Sequence, residues 1–241
     1  MNATGLRLVE RMTRLEDIQH LIRQLLPAER EALASWILDF RHTGEHVAES
    51  APVYGAELAP RLTAEEYLKL EEESLTRHEF VGGEMFAMSG VTAAAHNLIV
   101  GNVYRAFHSR LERGPCKTFF TEFKVRLRSD RDDIFYYPDV MIACGAIDLK
   151  TRYVTDPKVI VEVLSPSTEG TDRREKLLNY RRIPALEEYI LIAQAEPEVT
   201  LHRRSDRWRP VILRNAGVAA ELRSLELFVP LSEIYAGALR G

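Results

Sequence analysis

Cysteine is scarce in this 241-residue chain, which has only Cys116 and Cys144. Two are too few for a disulfide framework, and no C-x-x-C spacing marks a zinc site, so the composition fits a reducing compartment and points to the cytoplasm. Long apolar runs are lacking as well. No segment approaches the ~18–20 residues of a bilayer span, and the start, MNATGLRLVERMTRLEDIQ, is broken by charges every few residues, unlike a secretory leader. Positive charge is not in excess: 32 Lys and Arg face 36 Asp and Glu, a net charge of −4. That excludes a protein that grips nucleic acid through bulk charge, so any polyanion must be held by a local patch. Gly and Pro are scattered, with no low-complexity tract and no internal repeat.

What is present is a globular composition, 46% hydrophobic and 28% charged, enough to bury a sizeable core. In the first forty residues Leu15, Ile18, Leu21, Ile22 and Leu25 recur at helical spacing, and Leu33, Trp36, Ile37 and Phe40 repeat the pattern after Pro27. This predicts a helical hairpin over residues 1–45. RHTGEHVAESAPVYGAELAP reads as a linker over 46–60, and the texture from 61 to 241 is mixed α and β. The segment IRQLLPAEREALASWIL is similar to short helices of antitoxin-like proteins, so the hairpin is a candidate for homodimerisation or for a protein partner. Packing on the main domain is the alternative.

Within 61–241, Thr63 with Glu65 and Glu66 opens a short helix reaching about Glu73. EFVGGEMFAMSG has the pattern of a hairpin around Gly82-Gly83. A helix of about sixteen residues starts near Ala95, with His96, Ile99, Val100, Val103 and Phe107 on one face. TEFKVRL alternates as a strand, whereas FYYPDVMIAC and KVIVEVLS are nearly continuous apolar runs, the pattern of central strands covered on both faces. A helix over about Asp172–Arg182 follows, stopped by Pro184, and EYILIA, VTLHRR, RPVILR and ELFVPL read as further strands.

Each of the two apolar runs is interrupted by one acid, Asp139 and Glu162. The strand period puts Ile160, Glu162 and Leu164 on one face and Val159, Val161 and Val163 on the other. An isolated ionised carboxylate in such a place costs several kcal/mol even after relaxation. It must be neutralised, paired or metal-bound. Either both acids lie at strand ends in water or beside Arg, or a cation sits between them.

YPDVMIAC, then VIVEVLSPST, then a Lys/Arg-rich helix ending in Tyr and YRRIPALEEYILI, together with the upstream EFVGGEMFAMSG and AHN, resemble the Uma family of restriction-endonuclease-like proteins in the PD-(D/E)XK nuclease superfamily. The resemblance covers roughly residues 61–235. It implies an α/β (α+β) restriction-endonuclease-like core, a central mixed β-sheet flanked by helices, here with the added N-terminal hairpin. It implies a Mg²⁺- or Mn²⁺-dependent endonuclease that hydrolyses DNA phosphodiester bonds. Asp139 matches the superfamily's first acid and Glu162 its second. The lysine expected two positions later is Leu164 here, and the resemblance suggests a replacement from the next helix, for which Lys176 is the candidate. Asp172, Lys176 and Tyr180 lie four apart and share a helix face. Lys124 is the rival substitute, although a plain exposed-strand lysine also explains it.

The same resemblance makes the Val163 carbonyl a third metal ligand and Glu84 an additional upstream acid, unless Glu84 is merely a hairpin-edge charge. His96 is either near the site or a histidine at the start of a packed helix. The local charge favours a polyanion after the acids: residues 171–241 carry 12 Lys/Arg against 10 Asp/Glu, whereas residues 1–170 carry 20 against 26. Arg173, Arg174, Arg181 and Arg182 are the candidate DNA contacts, with Arg203, Arg204, Arg207 and Arg209 as a second group. The alternative function is a catalytically impaired nuclease fold that binds nucleic acid or a protein. No phosphate-loop or G-x-S-x-G pattern supports nucleotide or acyl-transfer chemistry.

Overall fold

The structure is a computed structural model that describes residues 61–88, 93–128 and 133–239. The expected hairpin and linker over residues 1–60 lie outside the described residues. Helix α1 (Ala64–Glu73) begins at a capping box: the Thr63 side chain accepts from Glu66 N–H while the Glu66 carboxylate accepts from Thr63 N–H at 2.8 Å. Strands β1 (His78–Val81) and β2 (Glu84–Ala87) form the hairpin anticipated around Gly82 and Gly83, both at positive φ. Helix α2 (Ala94–Leu111) carries Ile99, Val100, Val103 and Phe107 on its buried face.

Two sheets follow. The larger has the order β11-β10-β9-β8-β6-β3, built from β3 (Cys116–Phe120), β6 (Val140–Cys144), β8 (Pro157–Leu164), β9 (Glu188–Ala193), β10 (Val199–Arg203) and β11 (Pro210–Leu213). It is mixed, because β8 and β9 run parallel while their other neighbours pair antiparallel. The smaller has the order β2-β1-β5-β4-β7, adding β4 (Lys124–Arg128), β5 (Asp133–Tyr136) and β7 (Tyr153–Val154). A third pair, β12 (Ala219–Leu222) with β13 (Leu227–Pro230), precedes the short helix α5 (Leu231–Ile234).

Strand β8 divides the interior. Val159, Val161 and Val163 enter one core with the apolar face of α2, the β12–β13 pair and α5. Ile160 and Leu164 enter a second core with Val125, Tyr136, Tyr180 and Tyr189. The expected alternation is therefore realised, and Glu162 projects toward the second core. A smaller aromatic cluster of Tyr67, Phe80 and Phe135 holds the hairpin to α1, with the Tyr67 and Phe80 rings 4.8 Å apart.

Four expectations are corrected. FYYPDVMIAC is not one strand: Tyr137-Pro138-Asp139 breaks it, leaving β5 in the smaller sheet and β6 in the larger. Proline cannot donate to a ladder and restricts its predecessor, so the run changes sheets there. TEFKVRL becomes a strand only from Lys124, because Thr121 turns the chain with φ +51°. The helix expected from Asp172 starts earlier and is composite: α3 (Glu169–Thr171), a π-helical turn (Asp172–Lys176) and α4 (Leu177–Tyr180). Cys116 and Cys144 face each other in the β3–β6 register and are joined as a disulfide. Their 28-residue separation gave no hint of this, since only strand pairing opposes them. No described helix is long and apolar enough to cross a membrane.

The two hairpin glycines make different demands. A Cβ on Gly83 would meet Arg61 Cβ at 2.6 Å, with φ at +85°, whereas one on Gly82 meets nothing within 4 Å. We expect Gly83→Ala to lower stability by about 1–3 kcal/mol and Gly82→Ala by clearly less, since only the first adds a clash to the positive-φ cost. Urea unfolding of both variants checks the order.

Candidate active site

The site forms where β6 begins beside the C-terminal half of β8. Val140 pairs with Val161, which brings Asp139, just before β6, next to Glu162. The contacts are reciprocal. Asp139 N–H donates to Glu162 Oε2 at 3.3 Å, and Val163 N–H donates to Asp139 Oδ2 at 2.7 Å. Glu162 is 3% exposed, so it is not an acid at a wet strand end.

Lys176 reaches this pair from the π-helical turn. Its Nζ lies 3.3 Å from Glu162 Oε1, 3.2 Å from Asp172 Oδ1 and 2.9 Å from Glu79 Oε1, with the Tyr136 ring centroid 5.4 Å away. The contacts to Glu79 and Asp172 are at ion-pair distance but outside hydrogen-bond geometry, so they are coulombic. Tyr180, one helical turn on, donates to Glu162 Oε1 at 3.1 Å, and Tyr189 donates to the Asp172 carbonyl at 3.0 Å. The expected shared face of Asp172, Lys176 and Tyr180 is thus present, and all three are buried.

Charge balance sets the electrostatics. Burial pushes the Glu162 carboxyl well above the ordinary glutamate value; Lys176 opposes this, while Asp172, Asp139 and Glu79 add to it. For Lys176, burial alone would weaken the ammonium. The carboxylates of Glu162, Glu79 and Asp172 outweigh burial and hold its pKa well above the usual lysine range. His96, in the first turn of α2, has Nε2 3.3 Å from Asp139 Oδ2. Burial lowers its pKa, but the hydrogen bond and charge of Asp139 dominate and the net shift is upward.

The remaining candidates separate. Glu84 is exposed at the hairpin turn and does not meet Lys176; Glu79, on the opposing strand, does. The signal for Glu79 was in HEFV, where it alternates with the core residue Phe80 and must face the other way. Lys124 is not an exposed-strand lysine. It is buried, its amine donates to the Tyr137 hydroxyl at 3.2 Å, and desolvation lowers its pKa. Arg173 is engaged by Glu169 at 2.7 Å, whereas Arg174, Arg181 and Arg182 are exposed. In the second basic group, Arg203 is buried against Glu188 and Arg204 binds the carbonyls of Leu186 and Ile183, so both serve the fold; Arg207 and Arg209 are exposed.

The donor set suits a hard divalent cation. Asp139, Glu162 and the Val163 carbonyl offer only oxygen, and the carboxylates of Glu79, Asp139, Glu162 and Asp172 face one ammonium and one imidazole. Among the described residues no group of three or more His, Cys, Asp or Glu side chains is arranged to hold a metal. Mg²⁺ commonly takes one or two carboxylates and completes its shell with water and phosphate oxygens, so two acids suffice.

A central mixed sheet flanked by helices is the architecture of a restriction-endonuclease-like fold. Residues 64–232 match the sequence profile of the Uma2 family, described as "Putative restriction endonuclease", and the chain belongs to that family. It is 33% identical over 180 residues to "Uncharacterized protein slr1290" of Synechocystis, covering 74% of this chain and 93% of the relative. It is 36% identical over 136 residues to "Uncharacterized protein sll1609" of the same organism, covering 55% and 75%. The fold is similar to the crystal structure of a "putative nuclease belonging to DUF820" from Anabaena variabilis, with TM-score 0.60 and 18% identity over 74% of this chain and 99% of that one.

Removing the central cation should expose the cost of the acids around it. Lys176→Met leaves Glu79, Asp172 and Glu162 without their ammonium, a loss of about 3–5 kcal/mol for a broken buried ion pair. In the native protein the lysine's raised pKa means its contribution is complete below the unfolded lysine pKa and fades only as pH rises through the higher folded value. In the variant the raised Glu162 carboxyl binds a proton that the unfolded chain does not, so stability recovers as pH falls. Thermal melts should show a larger deficit at pH 8 than at pH 5.

Proposed function

We propose that this protein is a metal-dependent DNA endonuclease in which Asp139 and Glu162, with the Val163 carbonyl, hold Mg²⁺ or Mn²⁺ and Lys176 acts on the phosphate. The observation that carries this reading is the Lys176 amine 3.3 Å from Glu162 Oε1, although the position two residues after Glu162 is Leu164. Leu164 packs into the second core, 5% exposed, so a lysine there would have to displace core. The helical segment supplies the cation instead, which favours an active enzyme over an impaired relative.

When bound, the ion supplies Lewis-acid stabilisation of the phosphoryl oxygens and lowers the pKa of a bound water. Because Lys176 is held charged by three carboxylates, it serves as a hydrogen-bond donor and positive charge, not as a base. It orients the attacking water and stabilises the charge that develops on the phosphate. Glu79, Asp172 and Tyr180 keep Lys176 and Glu162 in place, and His96 fixes the Asp139 carboxylate. Exposed Arg174, Arg181 and Arg182 would contact the DNA backbone, each neutralised phosphate adding to a salt-dependent affinity. The segment 61–241 carries this activity.

Purified full-length protein should cleave members of a panel of duplex, single-stranded and branched DNAs with Mg²⁺ or Mn²⁺. Asp139→Asn and Glu162→Gln should each reduce the rate by ~10²-fold or more, as expected for a group that supports the transition state. Mn²⁺ at a hundred times its Kd should stabilise the native protein by about 2.7 kcal/mol and leave Asp139→Asn unchanged. Undiminished cleavage by Asp139→Asn would sink the assignment.

A further inference from the structure

Asp139 opens on a cleft of about 190 Å³ between the start of α2 and the β3–β4 turn, whose walls include Met88, His96, Asn97, Val100, Thr121 and Tyr137. Its charge argues against a phosphate inside. Among the described lining residues the cationic side chains are already paired: Arg77 is engaged by Glu122 at 3.2 Å, and His96 Nε2 lies 3.3 Å from Asp139 Oδ2. The nuclease reading puts the phosphate at Asp139 and Glu162, and the cleft beside them suits an uncharged part of the substrate.

Shape and chemistry narrow the choice. A volume of about 190 Å³ holds roughly six waters at ~30 Å³ each, and lies below the ~300 Å³ at which pockets for drug-sized ligands begin. That is room for one planar ring system, not for a base pair. Met88 and Val100 give apolar contact, while the Asn97 amide and Thr121 hydroxyl can meet a polar edge. Tyr137 is a rigid wall: its hydroxyl donates to Glu71 Oε1 at 2.7 Å and accepts from Lys124 Nζ at 3.2 Å, so both roles are filled. Thr121, a β-branched residue at φ +51°, sits in a costly backbone conformation. It is held by its N–H on the Asp139 carbonyl at 2.9 Å and by Phe123 N–H on its own carbonyl at 2.7 Å. These bonds fix the cleft wall to the backbone of the acid.

We propose that this cleft takes a single unstacked nucleobase next to the phosphate engaged at Asp139, so that the substrate is an unpaired or terminal nucleotide in a DNA strand and not an uninterrupted duplex. The proposal rests on the nuclease reading for the phosphate's position, but base capture is separately measurable. Stacking of one base on an aromatic side chain, here Tyr137, is commonly worth ~1–3 kcal/mol, about five- to hundredfold in affinity.

The test is fluorescence anisotropy of labelled oligonucleotides on the full-length protein with Ca²⁺ in place of Mg²⁺. We expect a single strand to bind at least fivefold more tightly than the same sequence in duplex, and a duplex with one central unpaired base to fall near the single strand. Removing that base as an abasic site should return affinity to the duplex value. Asn97→Trp, which fills the cleft from an exposed position, should abolish the preference; Asn97→Leu is a milder check if the larger side chain disturbs folding. Equal affinity for single strand, bulged and plain duplex, no binding to any of them, or an unchanged preference in both variants would overturn the proposal. Failure of the nuclease reading shows differently, as loss of metal-dependent cleavage and metal stabilisation while the base preference remains.

Discussion

The structure turns on how negative charge is buried around one ammonium. Glu79, Asp172 and Glu162 converge on Lys176 Nζ within 3.3 Å, and Asp139 adds a fourth carboxylate, which accepts from Val163 N–H of β8. A lone buried carboxylate would neutralise itself or unfold its surroundings. Here the lysine offsets part of the repulsion and the excess remains, raising the Glu162 pKa and leaving an oxygen-rich site with net negative character. Such an arrangement holds only if every element that contributes an acid is fixed by something else.

Those fixings account for much of the fold. Two cores clamp β8 on opposite faces, so Glu162 cannot rotate out of its register. The change of sheet at Pro138 ends β5 and starts β6 one residue after Asp139, which leaves that acid at a strand start with partial exposure. The aromatic cluster of Tyr67, Phe80 and Phe135 anchors the hairpin that presents Glu79. The π-helical turn is the least regular element and carries both Asp172 and Lys176, in keeping with the tendency of such turns to occur at functional sites. Tyr136, Tyr180 and Tyr189 pack edge to face around it and spend their hydroxyls on Glu175, Glu162 and the Asp172 carbonyl.

Several of these features could be read from residue order alone. The alternation of VIVEVL separated the two faces of β8 correctly, because a strand's period of two needs no partner to define it. The four-residue spacing of Asp172, Lys176 and Tyr180 foretold a common face for the same reason. Glu79 was missed, although its alternation with Phe80 was visible, because a four-residue edge strand with one acid looks like ordinary surface. Lys124 appeared to be a solvated strand charge and proved buried against Tyr137, a contact created by the approach of residues 13 apart across the sheet. The roles of Arg203 and Arg204 were hidden likewise, since their partners Glu188, Leu186 and Ile183 become neighbours only when β9 and β10 pair.

What the sequence determined by itself is what short-range chemistry dictates: the helix cap at Thr63, the Gly82-Gly83 turn, the faces of β8 and the two acids that interrupt apolar strands. Tertiary structure decided which charges share one site, because the energy of a buried carboxylate depends on the sign and distance of groups far away in the chain. It joined Cys116 to Cys144, chose Glu79 over Glu84, and placed Lys176 where position 164 offers only leucine. Sequence spacing specifies the direction in which a side chain points along its own element; only packing specifies what it meets there.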